Sequence, residues 1–278
     1  MQYWLSRFIH EARKKNGREY APNTLYHLAC GIMRHIRHNC GRPEIDFFKD
    51  PEFSDFRSSL DAEMKRLQSA GVGSVKKQAE PLILEEEEQL WEKKILGTLL
   101  NTMMFMNGLY FALRSGVEHR QLRHYPSQIQ LVGKAGETAY IVYREDISKN
   151  HPGGLKGRKQ KQKVVIHHAN TDNPSRCFIR LFKLYNELCP VDRPHDAFYL
   201  APLKNYTPDC WFSRSPVGQN TLKNFLGNVC KEAGILGFKT NHSLRATAAT
   251  RLYASGIDEQ LVMERTGHRS IEGIRSYK

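Results

Sequence analysis

Apolar positions divide the first 75 residues into three predicted helices. In the first, apolar residues recur three and four positions apart, as one face of a helix requires, at Trp4, Leu5, Phe8, Ile9 and Ala12. Thr24 is expected to cap the second helix, whose apolar face is Leu25, Leu28, Ile32 and Ile36. The third is predicted over residues 51–70, with an inward face of Phe53, Phe56, Leu60, Met64 and Leu67. These helices predict a small helical domain over residues 1–75.

A change in composition marks the end of that domain. The stretch "GVGSVKKQAEP" is rich in small and charged residues, so residues 76–82 are predicted to be a linker and residues 83–278 a second domain. Four glutamates follow at positions 85–88. Because the helix dipole favours negative charge in a first turn, this acidic run is predicted to begin a helix.

The second domain combines helices with a short β region. Residues 95–113 carry no charge, but Asn101, Asn107 and the helical spacing of Met and Leu favour a buried core helix over a membrane span. The runs "SQIQLV", "TAYIVY" and "KVVIHH" predict a three-stranded antiparallel sheet, and helices are predicted from Cys177 onward. The predicted fold class is mainly α with a small antiparallel β-sheet (α+β).

The charge of the chain indicates a polyanionic partner. Lys and Arg number 42 against 29 Asp and Glu, a net charge of +13, and nucleic acid is the commonest polyanion. Phosphate contacts are predicted from the second helix and from the basic run before the third strand, although a solvated loop is the alternative for that run. The predicted contacts are Arg34, Arg37, Lys156, Arg158, Lys159, Lys161 and Lys163.

Metal and cofactor sites are not predicted. The six cysteines are scattered without a C-x-x-C pair, which indicates a reduced compartment and excludes a zinc ribbon. The paired histidines at 35 and 38, and at 119 and 124, lack further ligand-type neighbours. We therefore interpret His119 and His124 as surface residues.

The end of the chain carries residues suited to phosphodiester cleavage without a metal. That reaction needs a nucleophile, positive charge on the non-bridging oxygens and a proton for the leaving oxygen. A tyrosine supplies the first, arginines the second and a lysine the third. The candidates are Arg114, Lys149, His242, Arg245, His268 and Tyr277, with Lys156 as the alternative lysine. Taken singly, each has an ordinary structural explanation as a cap, a surface charge or a packing residue.

The motifs around these residues resemble the tyrosine recombinases, or phage-type integrases. "GLYFALRSGVEHRQLR" resembles the segment of the first arginine, "HSLRATAATRLYASG" the H-x-x-R box, and "ERTGHRSIEGIRSYK" the ending with histidine and tyrosine nine residues apart. "SKNHPGGLKGRK" and "KKQAEPLILEEEEQLW" resemble Crypton-type transposon recombinases and the domesticated C-terminal domain of MYM-type zinc-finger and glutamine-rich nuclear proteins. The resemblance implies a helical core-binding (DNA-clamp) domain followed by a catalytic domain.

The same resemblance implies an activity and its partners. Tyr277 attacks the scissile phosphate and forms a 3′-phosphotyrosyl bond, Arg114 and Arg245 bind the non-bridging oxygens with His268, and Lys149 protonates the leaving oxygen. His242 helps to remove the tyrosine proton. Double-stranded DNA is the implied partner and the nucleus the implied location, with no cofactor and no membrane. The alternative is a domesticated module without catalysis.

The resemblance also bears on assembly. Family members continue past the tyrosine with a segment that docks on a neighbouring subunit, whereas this sequence ends at Lys278. We therefore expect a fragment that is monomeric in free solution. With such a tail, the resemblance implies a tetramer on DNA.

Overall fold

The computed structural model describes residues 1–74, 78–133, 139–146, 162–268 and 270–277. The chain divides into two compact units, Met1–Lys77 and Gln78–Lys278. Part of the predicted linker belongs to the second unit, because Leu82 is buried there and its backbone N–H bonds the Thr247 hydroxyl.

The first unit contains three helices, as the apolar pattern predicts. They are α1 (Gln2–Glu11), α2 (Pro22–Asn39) and α3 (Ser54–Ser69), the last preceded by a 3₁₀ turn over Pro51–Phe53. Helix α2 begins two residues before the predicted cap Thr24, because Pro22 has the backbone angle that a first helical position needs and no N–H to satisfy. The core of this unit consists of Leu5, Ile9, Leu25, Ala29, Ile45, Phe47, Phe53, Phe56, Leu60 and Leu67.

The second unit begins with three helices around one buried segment. These are α4 (Leu84–Glu92), α5 (Leu99–Tyr110) and α6 (Gly116–Gln121). Helix α5 is buried along most of its length, as predicted for the uncharged stretch. Among the described residues, no helix is both long and apolar enough to cross a membrane. After α5 the chain turns at Ala112, whose φ of +49° is in the left-handed region.

A three-stranded antiparallel sheet follows, in the order β1–β2–β3. The strands are β1 (Ile129–Val132), β2 (Tyr140–Arg144) and β3 (Val164–His168), and Tyr143 pairs with Ile129 on one side and Val165 on the other. The predicted fold class, mainly α with a small antiparallel sheet, is confirmed.

The rest of the unit is helical except for one hairpin. Helix α7 (Phe178–Glu187) leads to strands β4 (Leu200–Thr207) and β5 (Cys210–Pro216), and then come α8 (Gln219–Ala233), α9 (Asn241–Ala254), α10 (Glu259–Thr266) and α11 (Ile271–Arg275). The prediction of helices alone after Cys177 missed the β4–β5 hairpin. Most of β4 is exposed, so it lacks the alternation of apolar and polar residues that marks a half-buried strand.

Candidate active site

Helix α9 places His242 and Arg245 on one face near its start. The Thr240 side chain caps the helix by accepting the His242 N–H at 3.3 Å, and Ser243 Oγ accepts the Thr240 N–H at 3.1 Å. This reciprocal capping fixes where the helix begins. Residues three apart are neighbours on a helix surface, so the H-x-x-R spacing brings both side chains to the same region.

Tyr277 lies just past α11 and contacts His242. The Tyr277 hydroxyl oxygen is 2.9 Å from His242 Nε2, and the Thr250 hydroxyl donates to the Tyr277 carbonyl at 3.3 Å. Helix α11 is anchored by Ile274, which is fully buried, and by a salt bridge from Arg275 to Glu259. These contacts fix the element that carries Tyr277.

Arg245 is a buried arginine with unused donors. Its side chain is 1% exposed, Nη1 donates to the Ala112 carbonyl at 3.1 Å, and Nε and Nη2 have no hydrogen-bond partner among the described residues. Burial, and secondly the nearby Arg114, lower the Arg245 pKa to about 10. A guanidinium with free donors in a fixed position is suited to binding an anion bidentately.

Arg114 is held close to the same group by the turn after α5. Its backbone N–H donates to Glu118 Oε2 at 2.5 Å, and Ser115 caps helix α6, on which Glu118 lies. The charge of Arg114 is one cause of the lowered pKa of both His242 and Arg245, after burial.

Lys163 joins this cluster, although the sequence analysis assigned it to the exposed basic run. Its side chain is 6% exposed, and its amine donates to the Phe111 carbonyl and lies 5.8 Å from the centre of the Tyr143 ring. Burial is the largest cause that lowers its pKa to about 7; Glu145 opposes the shift and Arg245 adds to it. The prediction of an exposed phosphate contact did not anticipate this burial, because the basic run gives no sign of where β3 begins.

Phe111 and Ala112 provide adjacent backbone carbonyls for the two buried cations. The Phe111 carbonyl accepts from Lys163 and the next one, of Ala112, accepts from Arg245. Partial negative charge from carbonyls at the end of a helix partly offsets the repulsion between the two cations.

His268 completes the cluster on the side of α10. Its Nδ1 lies 2.6 Å from the Thr266 hydroxyl oxygen, and its ring centre is 5.7 Å from that of Tyr277. Burial and, next, the charges of Arg245 and Arg114 lower its pKa to about 3, so the ring is neutral near pH 7. The preceding Gly267 has a φ of +68°, and a cavity of about 340 Å³ lies between this end of α10 and the start of β3.

The protonation of the central pair follows from its surroundings. Burial, followed by Arg245 and Arg114, lowers the His242 pKa, whereas burial raises the Tyr277 pKa against the opposing effect of the two arginines. Near neutral pH the imidazole is therefore neutral and the phenol protonated. With the imidazole proton on Nδ1, the Tyr277 hydroxyl donates to His242 Nε2, a geometry that suits a nucleophile and its general base.

The structure brings together five of the six predicted catalytic residues and adds Lys163. Lys149 lies outside the described residues, as do Lys156, Arg158, Lys159 and Lys161. In the first unit, Arg34 is exposed, whereas Arg37 donates to the Ile45 carbonyl and pairs with Asp46.

One histidine differs from its interpretation as a surface residue. His119 is fully buried, and its Nδ1 lies 2.9 Å from the Tyr199 hydroxyl oxygen, which also accepts from Asn107. His119 lies on the face of α6 that points into the core, one residue after Glu118. Among the described residues, no group of three His, Cys, Asp or Glu side chains could hold a metal ion.

Two stretches of the chain match known protein families. Residues 82–231, more than half of the 278, match the family described as a domain of unknown function, DUF3504. The chain belongs to the DUF3504 family. Residues 1–67 match a second model, described as the QRICH1 domain.

The curated relatives are much longer than this chain. Zinc finger MYM-type protein 2 of Homo sapiens is 29% identical over 250 residues, a match covering 82% of this chain and 18% of that protein. Transcriptional regulator QRICH1 of Homo sapiens is 28% identical over 253 residues, covering 82% and 30%. The predicted kinship with MYM-type zinc-finger and glutamine-rich proteins is confirmed.

Solved structures identify the fold. The XerH site-specific recombinase, in a post-cleavage complex with a palindromic difH substrate, aligns with a TM-score of 0.54 and 20% sequence identity over 99% of this chain and 68% of that one. The predicted tyrosine-recombinase fold is confirmed.

Proposed function

We propose that this chain cuts and rejoins double-stranded DNA through a covalent bond between Tyr277 and a 3′ phosphate. The observation that carries the proposal is the 2.9 Å contact between the Tyr277 hydroxyl and His242 Nε2, beside the unused donors of Arg245. The fold and the motifs at these positions support it. The finer assignment to a Crypton-type mobile element rests on the sequence resemblance.

The chemical step balances with the residues of the cluster. The Tyr277 oxygen attacks phosphorus and its proton passes to His242 Nε2, while the bond from phosphorus to the 5′ oxygen breaks. Arg245 Nε and Nη2 stabilise the negative charge that develops on the non-bridging oxygens. Arg114 adds a second positive charge, and the neutral ring of His268 adds a hydrogen bond. In the second half of the reaction a 5′ hydroxyl attacks the phosphotyrosine, and its proton leaves by the reverse route.

A lysine supplies the proton that the leaving 5′ oxygen takes up. Lys149, which precedes β3 in the sequence, is proposed for this role from its sequence context, with Lys156 as the alternative. Lys163 is a third candidate, because its amine lies beside Arg245 and its pKa of about 7 suits proton donation at neutral pH.

A non-catalytic role is the second candidate function. It is favoured by the relatives, which are named as a zinc finger protein and a transcriptional regulator. In that case the chain would be a DNA-binding or protein-interaction module of a nuclear regulatory protein. Duplex DNA, contacted through Arg34, Arg37 and the basic loop, is the proposed partner in both cases, and the nucleus the proposed location. Self-association on DNA, as a tetramer where a C-terminal tail is present, belongs to the recombinase proposal.

Trapping on nicked DNA separates the two functions. The substrate is a pool of nicked duplexes with randomised sequence around the nick. When the protein cuts close to the nick, the short fragment with the 5′ hydroxyl diffuses away and the strand cannot be rejoined. The covalent complex therefore accumulates and survives denaturing electrophoresis. The recombinase proposal predicts such complexes and an enriched sequence at the cut. Tight binding of the pool with no covalent complex supports the non-catalytic module instead.

A further inference from the structure

The acidic run at positions 85–88 begins helix α4, as predicted, and it also forms ion pairs with other segments of the chain. Glu86 accepts the backbone N–H of Ile83 at 3.1 Å, as an N-terminal cap does. Three of the four carboxylates also bind basic groups from other segments: Glu86 binds Lys239 at 2.8 Å, Glu87 binds Arg251 at 2.5 Å, and Glu88 binds Arg176 at 2.6 Å. A helix dipole explains none of these pairings.

Two of the three ion pairs hold the two ends of helix α9. Lys239 directly precedes Thr240, the cap of that helix, and Arg251 lies in its last turn. The helix has 14 residues, so the two points of attachment are on the order of 20 Å apart. The third pair, Glu88 with Arg176, joins α4 to the turn before α7 and leaves α9 untouched.

The attachment is buried at Lys239 and partly exposed at Arg251, and it has a third point in the middle of α9. The Lys239 side chain is 5% exposed, and its amine also donates to the Pro81 carbonyl at 2.8 Å. The Leu82 N–H donates to the Thr247 hydroxyl at 2.7 Å, and that hydroxyl donates to the Ser243 carbonyl. Buried pairs of this kind leave an uncompensated charge when one partner is removed.

Tyr277 is supported from α10 as well as from α9. Its helix α11 is tied to α10 by the salt bridge from Arg275 to Glu259, and it packs on α9, because Ile274 is buried beside Ala249 and the Thr250 hydroxyl donates to the Tyr277 carbonyl. The general base and the nucleophile of the proposed reaction therefore lie on different helices, and the positions of His242 and Arg245 relative to the rest of the cluster depend on the rotation and axial position of α9.

We propose that the segment Leu82–Glu87 is a positioning element for the cleavage site, which sets α9 so that His242 and Arg245 meet Tyr277 and the phosphate. Glu86, Glu87 and Lys239 are its positioning residues. The inference rests on the proposed function, because the contact that it maintains is the one that carries the chemistry. A displacement of about 1 Å at such a contact costs on the order of 100-fold in rate.

Glu87→Gln tests the proposal, with Glu88→Gln as the matched control. Both changes remove one charge from adjacent positions of α4 and break one ion pair to an arginine, but only Glu87 binds α9. We expect Glu87→Gln to slow single-turnover covalent complex formation at least tenfold with an unchanged Kd for DNA, and Glu88→Gln to stay within twofold of the wild type. The exchange Glu87→Arg with Arg251→Glu should restore most of the rate.

A second readout keeps this test separate from the proposed function. The ring of His242 is titrated by NMR in the free protein, which needs no cleavage activity. Loosening α9 should raise the His242 pKa toward its ordinary value in Glu87→Gln, whereas loss of a negative charge alone would lower it, and Glu88→Gln should show only that small lowering. The proposal is overturned if the two variants titrate alike while both remain folded. Absence of covalent complexes from the wild type would instead count against the proposed function.

Discussion

The pair formed by His242 and Tyr277 defines the chemistry at the scale of single residues. A neutral imidazole 2.9 Å from a protonated phenol is ready to accept the proton as the phenol oxygen attacks. Arg245 and Lys163 lie at the proposed phosphate position at an energetic cost, since both side chains are buried and both have lowered pKa values. The two side chains repel each other when both are charged, and we expect an anionic substrate to reduce that repulsion.

Lys163 should consequently destabilise the free protein. Its pKa is about 7 in the folded chain against 10.5 unfolded, so the folded state binds fewer protons and the penalty grows as the pH falls from 10.5 to 7. One pKa unit corresponds to about 1.4 kcal/mol, and the lost hydrogen bond to Phe111 offsets about 1 kcal/mol. We expect Lys163→Met to gain about 3–4 kcal/mol in unfolding free energy at pH 7, and the gain to shrink toward pH 10.

Denaturant unfolding at several pH values measures this gain. Lys163→Arg is the matched control, because it retains a cation of similar length and should show no stabilisation. A Lys163→Met protein that is less stable than the wild type by the same amount at every pH would contradict the account.

The identity of the proton donor can be tested at the leaving atom. With sulfur in place of the 5′ bridging oxygen, the leaving thiolate needs no proton, because thiols are far more acidic than alcohols. If Lys163 is the donor, Lys163→Met should slow cleavage of the oxygen substrate at least 100-fold and cleave the sulfur substrate at the wild-type rate. Rescue of Lys149→Met or Lys156→Met alone would assign the role to that loop lysine.

At the scale of elements, the turn after α5 organises the site. Its carbonyls at Phe111 and Ala112 hold Lys163 and Arg245, and Ala112 adopts a left-handed conformation that L-residues reach at a cost of about 1–2 kcal/mol. We expect Ala112→Gly to be tolerated, within about 1 kcal/mol of the wild type. Ala112→Val should lose about 1–3 kcal/mol and slow cleavage, because a β-branched residue resists that conformation.

Thermal unfolding and single-turnover cleavage of the two variants measure this effect. Ala139→Val is the control for added volume at a residue with ordinary backbone angles that packs against the same core. Equal losses in Ala112→Gly and Ala112→Val would mean that the conformation of the turn does not govern the position of the cations.

The elements also show which features the sequence could predict. Periodicity was sufficient for α1 and α3, because Leu5 and Ile9, and Phe56 and Leu60, are buried at helical spacing, although Trp4 and Phe8 of the predicted α1 face are exposed. The absence of charge indicated the buried helix α5, and short β-rich runs indicated the three-stranded sheet. The β4–β5 hairpin buries few side chains, and therefore leaves no such pattern. Lys163 could not be distinguished from the other basic residues of its run, since its burial depends on long-range packing against Phe111 and Tyr143. The acidic run was correctly expected at a helix start, but its partners come from segments 88 to 164 residues away.

At the scale of the whole molecule, the net charge of +13 supports the proposed binding to DNA. If about six phosphates are neutralised, the logarithm of the affinity should fall with the logarithm of the salt concentration with a slope of roughly −5. Replacing Lys156, Arg158, Lys159 and Lys161 by glutamine should flatten that slope by about 3 to 4. Fluorescence anisotropy of a labelled duplex at several salt concentrations gives both slopes.

The comparison needs a variant with the same change in net charge. Replacing the exposed lysines Lys65, Lys183, Lys204 and Lys231 by glutamine removes four charges elsewhere on the surface. An unchanged slope for the loop variant, or an equal change in both variants, would show that the basic run is a solvated loop and not a phosphate contact.

The most direct measurement of the central claim is the site of covalent attachment. After trapping on the enriched nicked duplex, nuclease and protease digestion leave a nucleotide on one peptide, which mass spectrometry identifies. We predict a 3′-phosphate linkage at Tyr277, and no covalent complex with Tyr277→Phe, although that variant binds the duplex with the wild-type Kd because it loses a single hydroxyl. Attachment at another residue, or a covalent complex formed by Tyr277→Phe, would contradict the assignment of Tyr277 as the nucleophile.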